Sequence, residues 1–112
     1  MEMKRTQTGD ERVCPHYHHA VELIGRRWSG AILAALAEGP MRFAELAASV
    51  PGMSDRLLSE RLKELEQEGI VVRDVEAGTP VRVRYSLTEK GRELKPAIKA
   101  LQSWARSWHV AG

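Results

Sequence analysis

Apolar residues recur every three or four positions through the first two thirds of the chain, the spacing that places them on one face of an α-helix. The pattern predicts four helices, at about residues 17–25, 28–38, 43–49 and 54–68. Each ends at a glycine or at a glycine–proline pair, the residues that most often interrupt helices. Residues 1–13 show no such pattern and are expected to form a mobile tail, which leaves residues 14–112 as one domain.

After Gly69 the period of the apolar positions changes to two, which is typical of β-strands. Two strands are predicted, at about residues 70–75 and 81–87, with residues 77–80 as the tip of a hairpin. Thr88 is the expected N-cap of a last helix that continues to Trp108. This order predicts an α+β fold that is mainly α with a small β-hairpin wing, the winged helix-turn-helix arrangement.

The fourth predicted helix has one apolar and one polar face. At about 100° per residue, Leu58, Leu62 and Leu65 fall on the same side. The opposite side carries Arg56, Glu60, Lys63 and Gln67, with Ser59 at its flank. Such a helix can bury its leucines while it offers Arg56 and Ser59 to base edges in the major groove of DNA. For Arg61, nearer the buried side, a structural ion pair and a DNA contact both stay open.

The predicted hairpin offers a second set of basic side chains. Arg82 and Arg84 share a face of their strand, and Arg73 is expected to join them from the partner strand. They could reach the minor groove or the phosphates. Arg42 and the start of the third helix are candidates for phosphate contacts. The alternative interpretation is a solvated hairpin beside a fourth helix whose second half is acidic.

Composition supports a single soluble domain and says little about nucleic acid. The 112 residues carry 17 basic and 15 acidic side chains, a formal net charge of +2. Twelve of the basic residues are arginine, the side chain suited to phosphates and guanine edges. No stretch approaches the roughly 20 apolar residues of a membrane span, and the N-terminus lacks the apolar stretch of a signal peptide. A cytoplasmic location without a membrane partner is therefore expected.

Several motifs occur in a specific order. Cys14-Pro15 precedes a Gly-x-x-Trp segment that ends at Trp28 and an Arg-Phe-x-Glu-Leu segment that ends at Leu46. Residues 51–66 and 68–71 follow, and the segment at 84–94 contains Thr-Glu-Lys-Gly. In these motifs, from residue 14 to about residue 108, the chain resembles the HxlR family of bacterial winged-helix transcriptional regulators, which are akin to MarR regulators.

The resemblance implies a homodimer on a roughly palindromic double-stranded DNA operator, with the first and last helices as the dimer interface. The residues implied to read DNA from the fourth helix are Ser54, Asp55, Arg56, Ser59 and Lys63. Those on the wing are Thr79, Arg82 and Arg84. Apolar residues of the first and last helices are the expected interface, namely Tyr17, Val21, Ile24, Leu101, Trp104 and Trp108.

Cys14 is the candidate sensor of oxidants or electrophiles, because some members of the resembled family use a matching cysteine to release DNA. The helix dipole near the start of the first helix would lower the pKa of its thiol. The alternative is an inert thiol packed at the dimer interface. The neighbouring histidines at positions 16, 18 and 19 lack the spacing of a structural zinc site, so neither metal nor cofactor is expected.

Two other functions compete with DNA binding as explanations of these features. A winged helix can serve as a protein–protein interaction module without specific DNA binding, which the acidic second half of the fourth helix would suit. An enzyme with Cys14 as nucleophile would need a base and an oxyanion site. The segment next to the tail offers little enclosed space for them, so no enzyme is expected.

Overall fold

A computed structural model describes residues 14–108; the predicted tail at 1–13 and residues 109–112 lie outside the described part. The elements are α1 (Pro15–Gly25), α2 (Ser29–Leu36), α3 (Phe43–Ser49), α4 (Asp55–Gln67), β1 (Val71–Glu76), β2 (Arg82–Leu87), α5 (Glu89–Arg92) and α6 (Lys95–Ser107). The first four predicted helices and both strands are confirmed. No helix in the described range is long and apolar enough to cross a membrane.

The prediction of one continuous last helix is wrong, because α5 ends at Arg92 and α6 begins at Lys95. Pro96 supplies the reason: it has no N–H to donate to the carbonyl of Arg92, so the helical ladder is interrupted there. A proline fits the first turn of α6, where backbone N–H groups have no partner in the helix. Thr88 caps α5 as predicted, since its hydroxyl accepts a hydrogen bond from the Gly91 amide at 3.1 Å.

A single apolar core joins the helices to the base of the hairpin. The buried apolar residues are Ile32, Leu33, Leu36, Leu46, Val50, Met53, Leu58, Leu62, Leu65, Ile70, Val71, Leu87 and Ile98. They come from α2, α3, α4, both strands, α6 and the connections next to α3 and β1, while α1 contributes no fully buried residue. The base of the hairpin therefore packs against the core, and its outer part is exposed.

The two strands pair antiparallel, with Val71 opposite Leu87 at the base and Glu76 opposite Arg82 near the tip. Met41, between α2 and α3, exchanges two backbone hydrogen bonds with Tyr85, at 2.9 and 2.7 Å. This isolated β-bridge attaches the hairpin to the connection that leads into α3. The wing and the helices thus share a fixed geometry.

The segment after the hairpin closes over the end of α4. The Thr88 hydroxyl donates to the Gly69 carbonyl at 2.6 Å, and the Lys90 ammonium donates to the Glu68 carbonyl at 2.7 Å. These contacts satisfy carbonyls that a helix end leaves without partners. Gly91 is buried against the Ile70 carbonyl oxygen, which a Cβ at position 91 would overlap. The close approach explains why glycine stands in the Thr-Glu-Lys-Gly motif.

Replacing Gly91 by alanine should lower the free energy of unfolding by about 1–3 kcal/mol, because the added methyl group must push α5 away from Ile70. Urea denaturation followed by circular dichroism measures the change. Gly25→Ala is the matched control, since a Cβ there has no heavy atom within 4 Å. Equal stability of the two variants would contradict the close contact.

Candidate nucleic-acid interface

Helices α3 and α4 form a helix-turn-helix unit whose turn depends on local sequence. Pro51 prevents α3 from continuing, and Gly52 adopts a φ of 95°, which residues other than glycine rarely adopt. Ser54 then caps α4, because its hydroxyl accepts a hydrogen bond from the Leu57 amide at 3.1 Å. Asp55 adds a negative charge to the first turn, where the helix dipole favours it.

Helix α4 has the two faces that the sequence predicts. Leu58, Leu62 and Leu65 are buried, whereas Arg56 and Lys63 are exposed and Ser59 is half-buried between the two faces. Arg56 is 88% exposed, and its Nε lies 3.3 Å from a Glu60 carboxylate oxygen. This pair leaves the two terminal nitrogens of Arg56 for an outside acceptor. Of the other predicted readers on α4, Ser54 uses its hydroxyl in the cap and Asp55 is exposed.

Arg61 serves the fold. Its side chain is 11% exposed, its Nε donates to the Arg27 carbonyl at 3.0 Å, and its Nη1 lies 3.3 Å from Glu64. These contacts direct the guanidinium to the connection between α1 and α2. The structural alternative left open for Arg61 is the one observed.

The strand register determines which charged residues of the wing share a face, and the result differs from the expectation. Directly opposite residues of an antiparallel pair share a face. Arg84 pairs with Asp74 and Arg82 pairs with Glu76. Arg73 pairs with Tyr85, so the expectation that it shares a face with Arg82 and Arg84 is wrong.

A period of two along each strand does not fix the register between strands, so the carboxylates opposite the two wing arginines did not follow from the sequence. The observed pairing leaves residues 77–81 between the strands, whereas the predicted tip at 77–80 would place Arg73 opposite Arg84. At the tip, Thr79 is exposed as a wing residue should be.

At the start of α3, the backbone N–H of Arg42 already has a hydrogen-bond partner within the protein. The backbone N–H of Arg42 donates to a Glu45 carboxylate oxygen at 2.8 Å, so the carboxylate occupies the place that a phosphate would take on that amide. The Arg42 side chain is exposed, and a phosphate contact from its guanidinium stays a prediction.

Two apolar surfaces are exposed on the helices that flank the helix-turn-helix unit. One is on α1, where Tyr17 is 64% exposed and Val21 is also exposed; the other is on α6 and the residue that follows it, Trp108, which is 71% exposed. Leu101 and Trp104 are exposed on α6 as well. Among the predicted interface residues, Ile24 differs from these, because it is half-buried against the core.

The cysteine and its neighbouring histidines lie at the start of α1. Cys14 is exposed, and its carbonyl accepts the His18 amide at 2.9 Å, which begins the helix. His18 Nε2 lies 3.4 Å from Glu22 of the same helix, whereas His19 Nε2 lies 3.2 Å from Glu68 beyond the end of α4. Across residues 14–108, no three His, Cys, Asp or Glu side chains converge to hold a metal ion.

Comparison with known proteins gives a consistent result. The family model described as HxlR-like helix-turn-helix matches residues 23–111. The HTH-type transcriptional regulator YvaP of Bacillus subtilis is 48% identical over 96 residues, which cover 86% of this chain and 89% of YvaP.

Solved structures of two further regulators have the same fold. The reduced form of the transcriptional regulator YodB from B. subtilis superposes with a TM-score of 0.76 at 47% identity, over 83% of this chain and 91% of YodB. Quinone-bound YodB gives 0.73 at 44% identity, over 84% and 99% of the two chains. The redox regulator HypR in its reduced form gives 0.78 at 36% identity, over 82% and 91%.

Proposed function

This chain belongs to the HxlR-like helix-turn-helix family of transcriptional regulators, and we propose that it acts as a homodimer on a specific DNA operator. Its occupancy of the operator would be controlled by electrophiles or oxidants that react with Cys14. The exposed polar face of α4, backed by buried leucines and flanked by the hairpin, carries this proposal.

The chemistry of α4 and the wing suits double-stranded DNA. Arg56 can donate two parallel hydrogen bonds to guanine, and Ser59 can bond a base or a phosphate. Lys63 lies two turns beyond Arg56 on the exposed side and suits a phosphate. Arg82 and Arg84 project together from one face of β2, where they can contact the backbone or the minor groove next to α4. Arg42 and Thr79 are exposed and are assigned supporting contacts with the DNA backbone.

The exposed apolar faces of α1 and α6 support the homodimer. Large aromatic side chains such as Trp104 and Trp108 are typical of protein interfaces and costly to leave in water. A twofold arrangement through these helices would present two copies of α4 to one face of DNA. The recognition helices would then be separated by about 34 Å, one helical turn of DNA.

The thiol of Cys14 supplies the proposed response. The sulfur of the deprotonated thiol would add to a ring carbon of a quinone, and the ring would take up the proton and become a hydroquinone thioether. This addition needs no further oxidant. It is supported by the exposure of Cys14 and by the similarity to YodB, of which a quinone-bound structure is known.

DNA binding can be tested on a duplex that the protein selects from a random library. For Arg82→Gln/Arg84→Gln we expect weaker binding and a salt dependence that is shallower by about two units in log Kd against log salt, because two phosphate contacts are lost. Fluorescence anisotropy at several salt concentrations measures both. Lys99→Gln, on the exposed surface of α6, is the control and should leave the slope unchanged. Absence of binding at low salt would contradict the proposal and favour a protein-interaction module.

The dimer can be tested with charges placed on α6. Leu101→Glu/Trp104→Glu should sediment as a monomer and lose operator binding, because the two carboxylates would be buried without partners. Analytical ultracentrifugation gives the mass. Gln102→Glu changes a neighbouring exposed position and should remain dimeric. A wild-type monomer at micromolar concentration would exclude the proposed assembly.

Cys14→Ser should bind the operator as the wild type does, yet fail to release it when benzoquinone is added, because a hydroxyl is a poor nucleophile at neutral pH. Anisotropy with and without benzoquinone measures release, and mass spectrometry locates the adduct. Hydroquinone, which is not an electrophile, is the control reagent. If Cys14→Ser released DNA as the wild type does, sensing by Cys14 would be wrong.

A further inference from the structure

Helix α1 is attached to the rest of the domain with little apolar burial. It has no fully buried residue, and its contact with the core is made by the half-buried side chains of Leu23 and Ile24. Apolar burial is the main source of helix docking energy, so α1 belongs to the weakly held part of the fold. Its position is therefore sensitive to its polar contacts.

Two of those contacts cross from α1 to the acidic end of α4. His19 Nε2 lies 3.2 Å from Glu68 Oε1, and Arg26 Nε lies 3.4 Å from Glu64 Oε1. His19 lies within α1, and Arg26 follows its last residue; Glu64 lies in the last turn of α4, and Glu68 follows its last residue. A cleft of about 270 Å³ separates the segments between the two contacts.

A third contact runs in the opposite direction. Arg61 of α4 donates from Nε to the Arg27 carbonyl, directly after α1, at 3.0 Å. The same guanidinium lies 3.3 Å from Glu64, so Glu64 contacts both Arg26 and Arg61. With Glu64 and Arg61 at most one third exposed, this end of the linkage is shielded from water more than an ordinary surface pair.

The contacts join the two functional ends of the molecule. Helix α1 follows Cys14 and carries Tyr17 and Val21 of the exposed apolar surface, while α4 carries Arg56 and Lys63. Because α4 is a continuous helix, a displacement of its last two turns changes the direction of its first turns. The second half of α4 is acidic and therefore unsuited to DNA. Its glutamates instead contribute to the attachment of α1.

From this geometry we infer that the α1–α4 linkage, formed by His19–Glu68, Arg26–Glu64 and Arg61 with the Arg27 carbonyl, transmits displacements of α1 to the recognition helix. His19, Arg26, Glu64 and Glu68 are positioning residues, since they act on DNA recognition through α4. The inference rests on the proposed function for its biological meaning, but the mechanical coupling exists without DNA.

The sequence offers matched controls for two of these contacts. His18, adjacent to His19, pairs with Glu22 inside α1 and does not reach α4. Arg27, adjacent to Arg26, places its guanidinium over the Trp28 ring at 5.0 Å and keeps its carbonyl when the side chain is changed. His19→Gln/Arg26→Gln removes the crossing pairs, and His18→Gln/Arg27→Gln removes the same two residue types without touching them.

Hydrogen–deuterium exchange measures the attachment directly. Amides of α1 in His19→Gln/Arg26→Gln should exchange roughly threefold faster than those in His18→Gln/Arg27→Gln, because two partly shielded pairs are lost. His19→Lys/Arg26→Lys keeps an N–H donor at both positions and should restore the slower rate. Equal exchange in the two glutamine variants would overturn the inference.

The coupling is tested by attaching a bulky maleimide to Cys14. In the wild type and in His18→Gln/Arg27→Gln, the label should change exchange at residues 61–68; in His19→Gln/Arg26→Gln the change should stay within α1. No change at 61–68 in the wild type, or an equal change in both variants, would show that α1 does not act through this linkage. Operator affinity measured in parallel separates the two proposals, since loss of DNA binding with the exchange pattern intact would reject the proposed function alone.

Discussion

Burial of the leucine face of α4 is the constraint on which the rest of the structure depends. Leu58, Leu62 and Leu65 lie in one core with residues of α2 and α3, and each contributes on the order of 2 kcal/mol by leaving water. Their burial fixes the rotation of α4 about its axis. A change of one residue in that rotation, about 100°, would turn Arg56 and Lys63 away from the surface where they now lie. The face of α4 that we propose meets DNA is therefore determined by packing on the other side of the helix.

Both ends of α4 are held by polar groups from other segments. Ser54 caps its start, while Thr88 and Lys90 bind the carbonyls just past its end. In contrast, α1 and the second half of α6 expose their apolar side chains. The molecule thus combines a helix α4 whose rotation is set by the core with flanking helices that leave apolar side chains exposed. A regulator needs this division, because only the parts that are weakly held can respond to a signal.

Most of the fold could be predicted from the sequence, and the exceptions have identifiable physical causes. The period of apolar residues located four helices and both strands, since burial of one face leaves a regular trace along the chain. The break before α6 was missed although Pro96 signals it, because the apolar stripe continues across the break. The prediction of the face on which Arg73 lies was wrong because it depends on the register between the two strands. The period of apolar residues along one strand does not determine that register.

The contacts of His19 and Arg26 with α4 leave no trace in sequence patterns. Their partners are 49 and 38 positions away in the sequence. The residue types histidine and arginine do not indicate which carboxylate each side chain contacts. Only the tertiary fold, which places α1 across a cleft from the end of α4, brings them together. For the candidate site, residue type and period predicted that Arg56 and Lys63 lie on the exposed polar face of α4, whereas the assignment of Arg61 to the fold required its contacts with Glu64 and Arg27.

The carboxylates that face the wing arginines bear on how such a protein would search a chromosome. With Asp74 opposite Arg84 and Glu76 opposite Arg82, and a net charge of +2 on the whole chain, the electric field beyond the surface is weak. Binding to arbitrary DNA sequence depends on that field, so it would be short-lived. A larger share of the molecules would then be free in solution at any moment, and a few copies would fill a true operator despite the many competing sites of a genome.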